Sequence, residues 1–212
     1  MKIAMINGSP KLGKSNSGLM LQSLQPLMDP GHQVSHYNIS MAPLTKEQYL
    51  ELCRMDTLVF AFPLYIDAVP SHLFRMLIKL AEYHKTEGNK DISIYAIINN
   101  GFYEGRQNHI AVDIIKNWCH REGFTFRQAI GQGAGEMMGF IDKVPIGHGP
   151  LKNLGTALQN LADNLHSNRS GQTLVFSPNF PRFGWRFMGT HFFWNTTAKQ
   201  NGLKPNDLLK RL

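Results

Sequence analysis

The sequence predicts an α/β domain built on a parallel sheet, and three observations predict it. Five short apolar runs alternate with longer stretches of helical periodicity over residues 1–165, the pattern of strand–helix–strand units. The runs at 3–6, 57–62 and 92–98 are almost continuously apolar, as in strands covered on both faces. Each of these three then ends in a loop of unusual composition. Open α/β sheets bind ligands beyond the carboxyl ends of their strands, so the three loops are read as one site.

Residues 3–6 form the first strand. Residues 17–28 form a helix with Leu19, Met20, Leu24, Leu27 and Met28 in helical register, Ser17 as its cap and Asp29-Pro30-Gly31 as its stop. Residues 32–38 alternate weakly, which fits a second strand at or near the edge. Thr45, with Gln48 three positions on, opens a short helix over 45–54. Residues 57–62 form a central strand. The helix over 70–85 sets Leu73, Leu77 and Leu80 beside Phe74, Ile78 and Ala81 as one broad apolar face. Residues 92–98 form a fourth strand, and 107–121 a helix carrying Ile110, Ile114 and Trp118 beside Ala111, Ile115 and Cys119. Residues 124–130 alternate as a strand nearer the edge, and the glycine-rich turn 131–135 comes after it. Residues 153–165, with Leu154, Leu158, Leu161 and Leu165 aligned, form the last clear helix. There is no internal repeat and no low-complexity tract.

The first loop has the composition of a phosphate site. In Gly8-Ser9-Pro10-Lys11-Leu12-Gly13-Lys14-Ser15-Asn16-Ser17-Gly18, small residues let backbone N–H groups approach an anion, and three serines and two lysines add donors and charge. The spacing of Gly8 to Gly13-Lys14-Ser15 fits the bare nucleoside-triphosphate loop. That reading fails elsewhere, because neither 57–62 nor 92–98 ends in an acid that would hold magnesium. No Gly-x-Gly-x-x-Gly comes after the first strand either, which excludes the dinucleotide fingerprint. A monophosphate remains.

The other two loops offer surfaces for a flat ring. Pro63 and Pro70 stiffen the second, and Tyr65 and Ile66 protrude from it. The third, Asn99-Asn100-Gly101-Phe102-Tyr103-Glu104-Gly105, combines aromatic surface with glycines that bring backbone N–H groups to a ring edge. A phosphate at one loop and a polar-edged ring at two others describe flavin mononucleotide, FMN.

On these residues the chain resembles the flavodoxin-like NAD(P)H-dependent FMN reductases and their quinone-reductase relatives. Gly8-Ser9-Pro10-Lys11 with Ser15-Asn16-Ser17 is similar to their phosphate loop, Phe62-Pro63-Leu64-Tyr65 to their Pro-x-Tyr flavin loop, and 99–105 to the glycine-rich loop that cups the ring. Lys11 stands where the family has arginine, which keeps the charge but loses the bidentate fork. The resemblance implies a doubly wound five-stranded parallel sheet in the order 2-1-3-4-5. It assigns the phosphate to Ser9, Lys11, Ser15, Asn16 and Ser17. It assigns the isoalloxazine to Pro63, Leu64, Tyr65, Ile66, Asn99, Asn100, Gly101, Phe102 and Tyr103. It further implies NADPH or NADH as co-substrate, a small electron acceptor such as a quinone or a flavin, and a homodimer. The chemistry then belongs to the cofactor, and no side chain is named as acid or base. Of the histidines only His109 and His148, near the loops, are singled out for test. An electron carrier of the flavodoxin type, or a flavin-binding redox sensor, is the alternative. Carriers are shorter and acidic, whereas this chain of 212 residues carries a net charge of +7.

That charge invites a nucleic-acid reading, but its location argues against one. Residues 176–212 hold Arg182, Arg186, Lys199, Lys204, Lys210 and Arg211 against the single acid Asp207, so the rest of the chain is close to balanced. Cys53 and Cys119 stand alone and read as reduced thiols, no run reaches transmembrane length, and the first apolar run is too short for a secretory signal. A cytoplasmic protein is expected, with residues 1–168 as the FMN-binding domain. Residues 169–212, where aromatics interleave with arginines, are expected to form an extension that packs on the domain or on a dimer partner.

Overall fold

The computed structural model describes residues 1–39, 42–87 and 91–210. The strands are β1 (Lys2–Asn7), β2 (Gln33–Asn38), β3 (Thr57–Pro63), β4 (Ser93–Asn99), β5 (Thr125–Gln132) and β6 (Leu174–Phe176). All pair in parallel, in the order 2-1-3-4-5-6. The expected five-stranded order holds as far as it goes, and the correction is a sixth strand. β6 lies in the stretch assigned to the extension, and its three residues are too few to show any period. It joins through Ile130↔Leu174 and Gln132↔Phe176, and β5 is therefore not an edge. β2 is, as its weak alternation implies.

Five helices cover the sheet: α1 (Asn16–Leu24), α2 (Lys46–Leu52), α3 (Ser71–Glu87), α4 (His109–Glu122) and α5 (Lys152–His166). Side chains alternate across each strand, so the continuous apolar runs serve two cores. Leu58, Phe60, Phe62, Ile94, Ala96 and Ile98 meet Leu52, Leu73, Leu77, Leu80, Ala111, Ile115 and Trp118 of α2, α3 and α4. On the other face α1 packs on β1, β3 and β4, and α5 packs on β5 and α1. Tyr95 is buried there, and its hydroxyl donates to the carbonyls of Asn164 (3.0 Å) and Arg169 (2.9 Å), pinning the end of α5.

Local signals hold at α2, whose capping box of Thr45 and Gln48 is formed. They need correction at three places. The cap of α1 is Ser15, whose hydroxyl accepts from the Gly18 amide at 3.1 Å; Ser17 lies inside the helix. Phe74 and Ile78 on α3 and Ile110 on α4 are exposed, because a straight helix on a sheet covers a narrower stripe than the apolar face the sequence supplies. The residues after 165 also contain helices, α6 (Arg182–Met188) and α7 (Asn195–Gln200), joined by a π-helical stretch, Gly189–Trp194. The chain divides into two compact units, Met1–Pro178 and Asn179–Leu212. Among the described residues no helix is long and apolar enough to cross a membrane.

Candidate functional site

Because β1, β3 and β4 are adjacent and parallel, the loops at their carboxyl ends leave the same end of the sheet. Chain direction from β1 reverses there, with β2 on one side and β3 on the other, which makes this the switch point of the fold.

The first loop begins at Gly8, held by a bond from its amide to the Ala61 carbonyl (2.8 Å). A Cβ at this position would stand 2.8 Å from Leu73 and 3.1 Å from Phe62, so glycine lets β1 turn beneath α3. Asn7 organises the rest of the loop: its Oδ1 accepts from the Ser9 amide (3.1 Å), and its Nδ2 donates to the Ser15 hydroxyl (3.3 Å). Ser9 accepts in turn from the Lys11 amide (3.3 Å). Ser9 and Ser15 are buried, Lys11 and Lys14 are exposed, and α1 opens at the loop with its first N–H groups directed to it. Lys14 pairs with Asp142 at 3.2 Å, an exposed and weak ion pair. Asn7, Lys14, Ser15, Gln22, Asn38 and Asp142 line a cleft of about 580 Å³ beside the loop.

Two of the five residues expected at a phosphate point elsewhere. Ser17 is almost wholly buried, and its hydroxyl accepts from Asn99 Nδ2 at 3.1 Å. The same amide group reaches the Phe62 carbonyl at 3.3 Å, so Asn99 ties together the ends of β3 and β4 and the start of α1. Asn16 donates from Nδ2 to the Gly135 carbonyl at 2.8 Å, which draws in a fourth segment.

The second loop is a tight turn. Tyr65 and Ala68 exchange two backbone bonds of 3.1 and 3.0 Å, with Ile66 (φ 46°) and Asp67 (φ 56°) between them in the left-handed region. Two left-handed central residues make this a type I′ turn. Ile66 at its tip is 100% exposed, and Tyr65 is half exposed. A β-branched residue in this conformation is strained. The third loop is pinned by Asn100, whose Oδ1 accepts from the Phe102 amide (2.9 Å) and whose Nδ2 donates to the Glu104 carbonyl (3.3 Å). Gly101 and Phe102 are exposed, Tyr103 is half-buried, and Pro63 and Leu64 close the base of the second loop, where the Leu64 amide meets the Asn99 carbonyl at 2.7 Å.

Sequence reasoning misses the fourth wall. Gly133 comes just after β5, and a Cβ there would stand 2.2 Å from the Tyr103 carbonyl oxygen. The glycine-rich turn thus lets two backbones touch and braces the third loop. It misses His72 as well. The His72 ring lies against the Gly8 backbone at the start of α3, and burial pushes its imidazole below the usual range, against the Gly8 hydrogen bond that raises it. Its Nε2 is buried with no hydrogen-bond partner. The signal available for it is a histidine at the second position of the helix after the second loop. His109 bonds the Arg106 carbonyl at 2.8 Å at the start of α4, and His148 lies exposed between β5 and α5. Among the described residues no group of three His, Cys, Asp or Glu could hold a metal ion.

No family model and no curated protein matches the chain. Solved structures do. An NADPH-quinone reductase from P. pentosaceus aligns over 76% of this chain and 98% of its own, at 15% identity and a TM-score of 0.57. An NADH:FMN oxidoreductase in its apo form aligns over 87% and 98%, at 16% identity and a TM-score of 0.56. An FMN-dependent NADH-azoreductase from Bacillus anthracis, solved with FMN, aligns over 78% and 100%, at 16% identity and a TM-score of 0.53. The chain has the flavodoxin-like fold of these proteins. At such identities the likeness is one of architecture, and function rests on the site.

Proposed function

We propose that this chain is an FMN-dependent oxidoreductase that takes hydride from NADPH or NADH and delivers it to a small acceptor such as a quinone or a flavin. One observation carries the reading. At the switch point an apolar residue, Ile66, is held fully exposed in a strained left-handed turn next to the half-exposed ring of Tyr65, and Phe102, on the loop that leaves the adjacent strand, is exposed as well. Strain and exposure together cost stability, and they are kept where a surface is needed for a ligand. The folds of the FMN-bound azoreductase and of the two reductases support the same reading.

The residues present fit the cofactor. The α1 N-terminus, the Lys11 ammonium and the hydroxyls of Ser9 and Ser15 would hold its phosphate. Ser17 and Asn16 would act behind them, one through Asn99 and one through Gly135. Pro63, Leu64, Tyr65 and Ile66 would wall one side of the ring, and Asn99, Asn100, Gly101, Phe102 and Tyr103 would meet its edge. FMN, when bound, supplies the two-electron hydride chemistry. The protein's part is to orient the ring, keep one face open and shape the acceptor pocket. The exposed apolar residues Phe74, Ile78 and Ile110 support pairing with a second copy.

The test is the visible spectrum of the purified protein with FMN, before and after anaerobic NADPH and NADH. Bleaching of bound flavin within seconds is expected and ranks the donors. Bound flavin that resists both nicotinamides points to an electron carrier, and failure to bind FMN overturns the site.

A further inference from the structure

The unit Asn179–Leu212 has a chemistry the flavin site does not use. α6, the π-helical stretch and α7 run on as one helical segment, and within twelve residues Phe183, Phe187, Phe192, Phe193 and Trp194 are each more than half exposed. Beyond them Leu203, Leu208 and Leu209 are exposed as well. The rings gather on one another. Phe187 lies 4.4 Å from His191 and 6.3 Å from Phe192 between centroids, and Phe193 meets Trp194 edge-on at 5.2 Å. An exposed aromatic cluster of this size marks a contact surface.

Its charge selects the partner. The unit holds six of the chain's 22 Lys and Arg but one of its 15 Asp and Glu, and so five of its seven net positive charges. The single acid, Asp207, accepts from the Lys204 amide (2.8 Å) and pairs with Lys210 at 2.7 Å, so what the unit presents is cationic. Arg182, Arg186, Lys199, Lys204 and Lys210 are all exposed; Arg211 lies outside the described residues. A symmetric contact with a second copy would set these cations against themselves, and the remainder of a second copy, with two net positive charges, offers no opposing field. An anionic bilayer offers both halves of the match: phosphates for the cations and an acyl boundary for the rings.

We propose that Asn179–Leu212 docks the protein on the surface of anionic phospholipid membranes, with Phe183, Phe187, Phe192, Phe193 and Trp194 at the headgroup–acyl boundary and the lysines and arginines on the phosphates. It does so as an interfacial segment, since no described helix is apolar enough to span. Rings and cations act as two weak signals, so binding is reversible and sensitive to salt.

The experiment is co-sedimentation of the full chain with vesicles of phosphatidylcholine alone and of phosphatidylcholine with one third phosphatidylglycerol, with Trp fluorescence read in parallel. Binding to the anionic vesicles about tenfold or more above the neutral ones is expected, falling about tenfold when salt rises from about 0.1 to 0.5 M, with a blue shift of the Trp emission that the ring variant, which lacks Trp194, loses. A ring variant (F192A/F193A/W194A) and a charge variant (R182E/R186E) should each lose most of the binding. All five residues are exposed, so circular dichroism and bound flavin should match the parent. Equal binding to both vesicle types, or none to either, overturns the proposal. So does binding to a single-stranded oligonucleotide, or a self-association read by sedimentation velocity, that the ring variant abolishes while vesicles bind neither protein.

Discussion

Replacing Ile66 with glycine should make the free protein more stable and the flavin complex weaker. Ile66 has φ 46° at the first central position of a type I′ turn. An L-residue in the left-handed region costs about 1–2 kcal/mol, with β-branched residues towards the upper end. Glycine removes that strain but brings about 0.5–1 kcal/mol of extra unfolded-state freedom. The side chain is fully exposed, so its removal forfeits no burial. The balance is a gain of about 0.5–1 kcal/mol, which for a chain of this length raises Tm by about 1–4 °C. If the isoleucine lies on a flavin ring, its loss removes on the order of 1 kcal/mol of apolar contact, or about fivefold in Kd. The assay is thermal unfolding without FMN, beside a fluorescence titration with it. Ile66→Asn is the control, since asparagine tolerates the left-handed region without glycine's freedom. A fall in apo Tm for both variants refutes the strain argument; a rise with unchanged FMN affinity refutes the ligand surface.

Asn99→Asp turns a donor shared by the Ser17 hydroxyl and the Phe62 carbonyl into an acceptor. It should cost about 2 kcal/mol in urea unfolding and loosen FMN, whereas Asn7→Asp, in a half-buried loop, should cost less. Gly133→Ala puts a Cβ 2.2 Å from the Tyr103 carbonyl. Moving the third loop to admit it should lower stability by about 1–3 kcal/mol and weaken FMN, while Gly139→Ala, where a Cβ meets nothing, should do neither. Burial raises several thiols and phenols, Tyr37, Tyr49 and Cys53 among them, and two contribute most clearly to the alkaline limb of stability: the Cys119 thiol is pushed from 9.0 up to about 12, and the Tyr95 hydroxyl from 10.0 up to about 12. The unfolded chain releases these protons first, so their stabilisation is whole below pH 9 and is lost as pH rises from 9 through 12, at up to about 1.4 kcal/mol per unit per group. Urea midpoints measured between these limits should show that slope, and Cys119→Ala should flatten its lower part.

The legibility of the sequence divides along a physical line. β1, β3 and β4 are legible because a strand buried on both faces must be apolar along its length, and α2 because a capping box is local chemistry. Periodicity overstates the stripes of α3 and α4, since Phe74, Ile78 and Ile110 satisfy a helical period without meeting the sheet. β6 is illegible for the opposite reason: three residues have no period, and what recruits them is the edge of β5 together with the Gly133 amide bond to the Phe176 carbonyl at 2.9 Å. The same division runs through the site. Composition singles out the three loops as a candidate site, but it does not say which of their polar groups bond one another. Ser15 caps α1, Ser17 meets Asn99, and Asn16 meets Gly135, all through partners distant in sequence apart from the cap. A loop rich in serine and asparagine therefore contains two populations. One fixes the loop from within, and the other, under the proposed function, would present donors to a phosphate, with Ser15 serving in both. The first is as necessary as the second, because a phosphate is bound tightly only by donors already held in place.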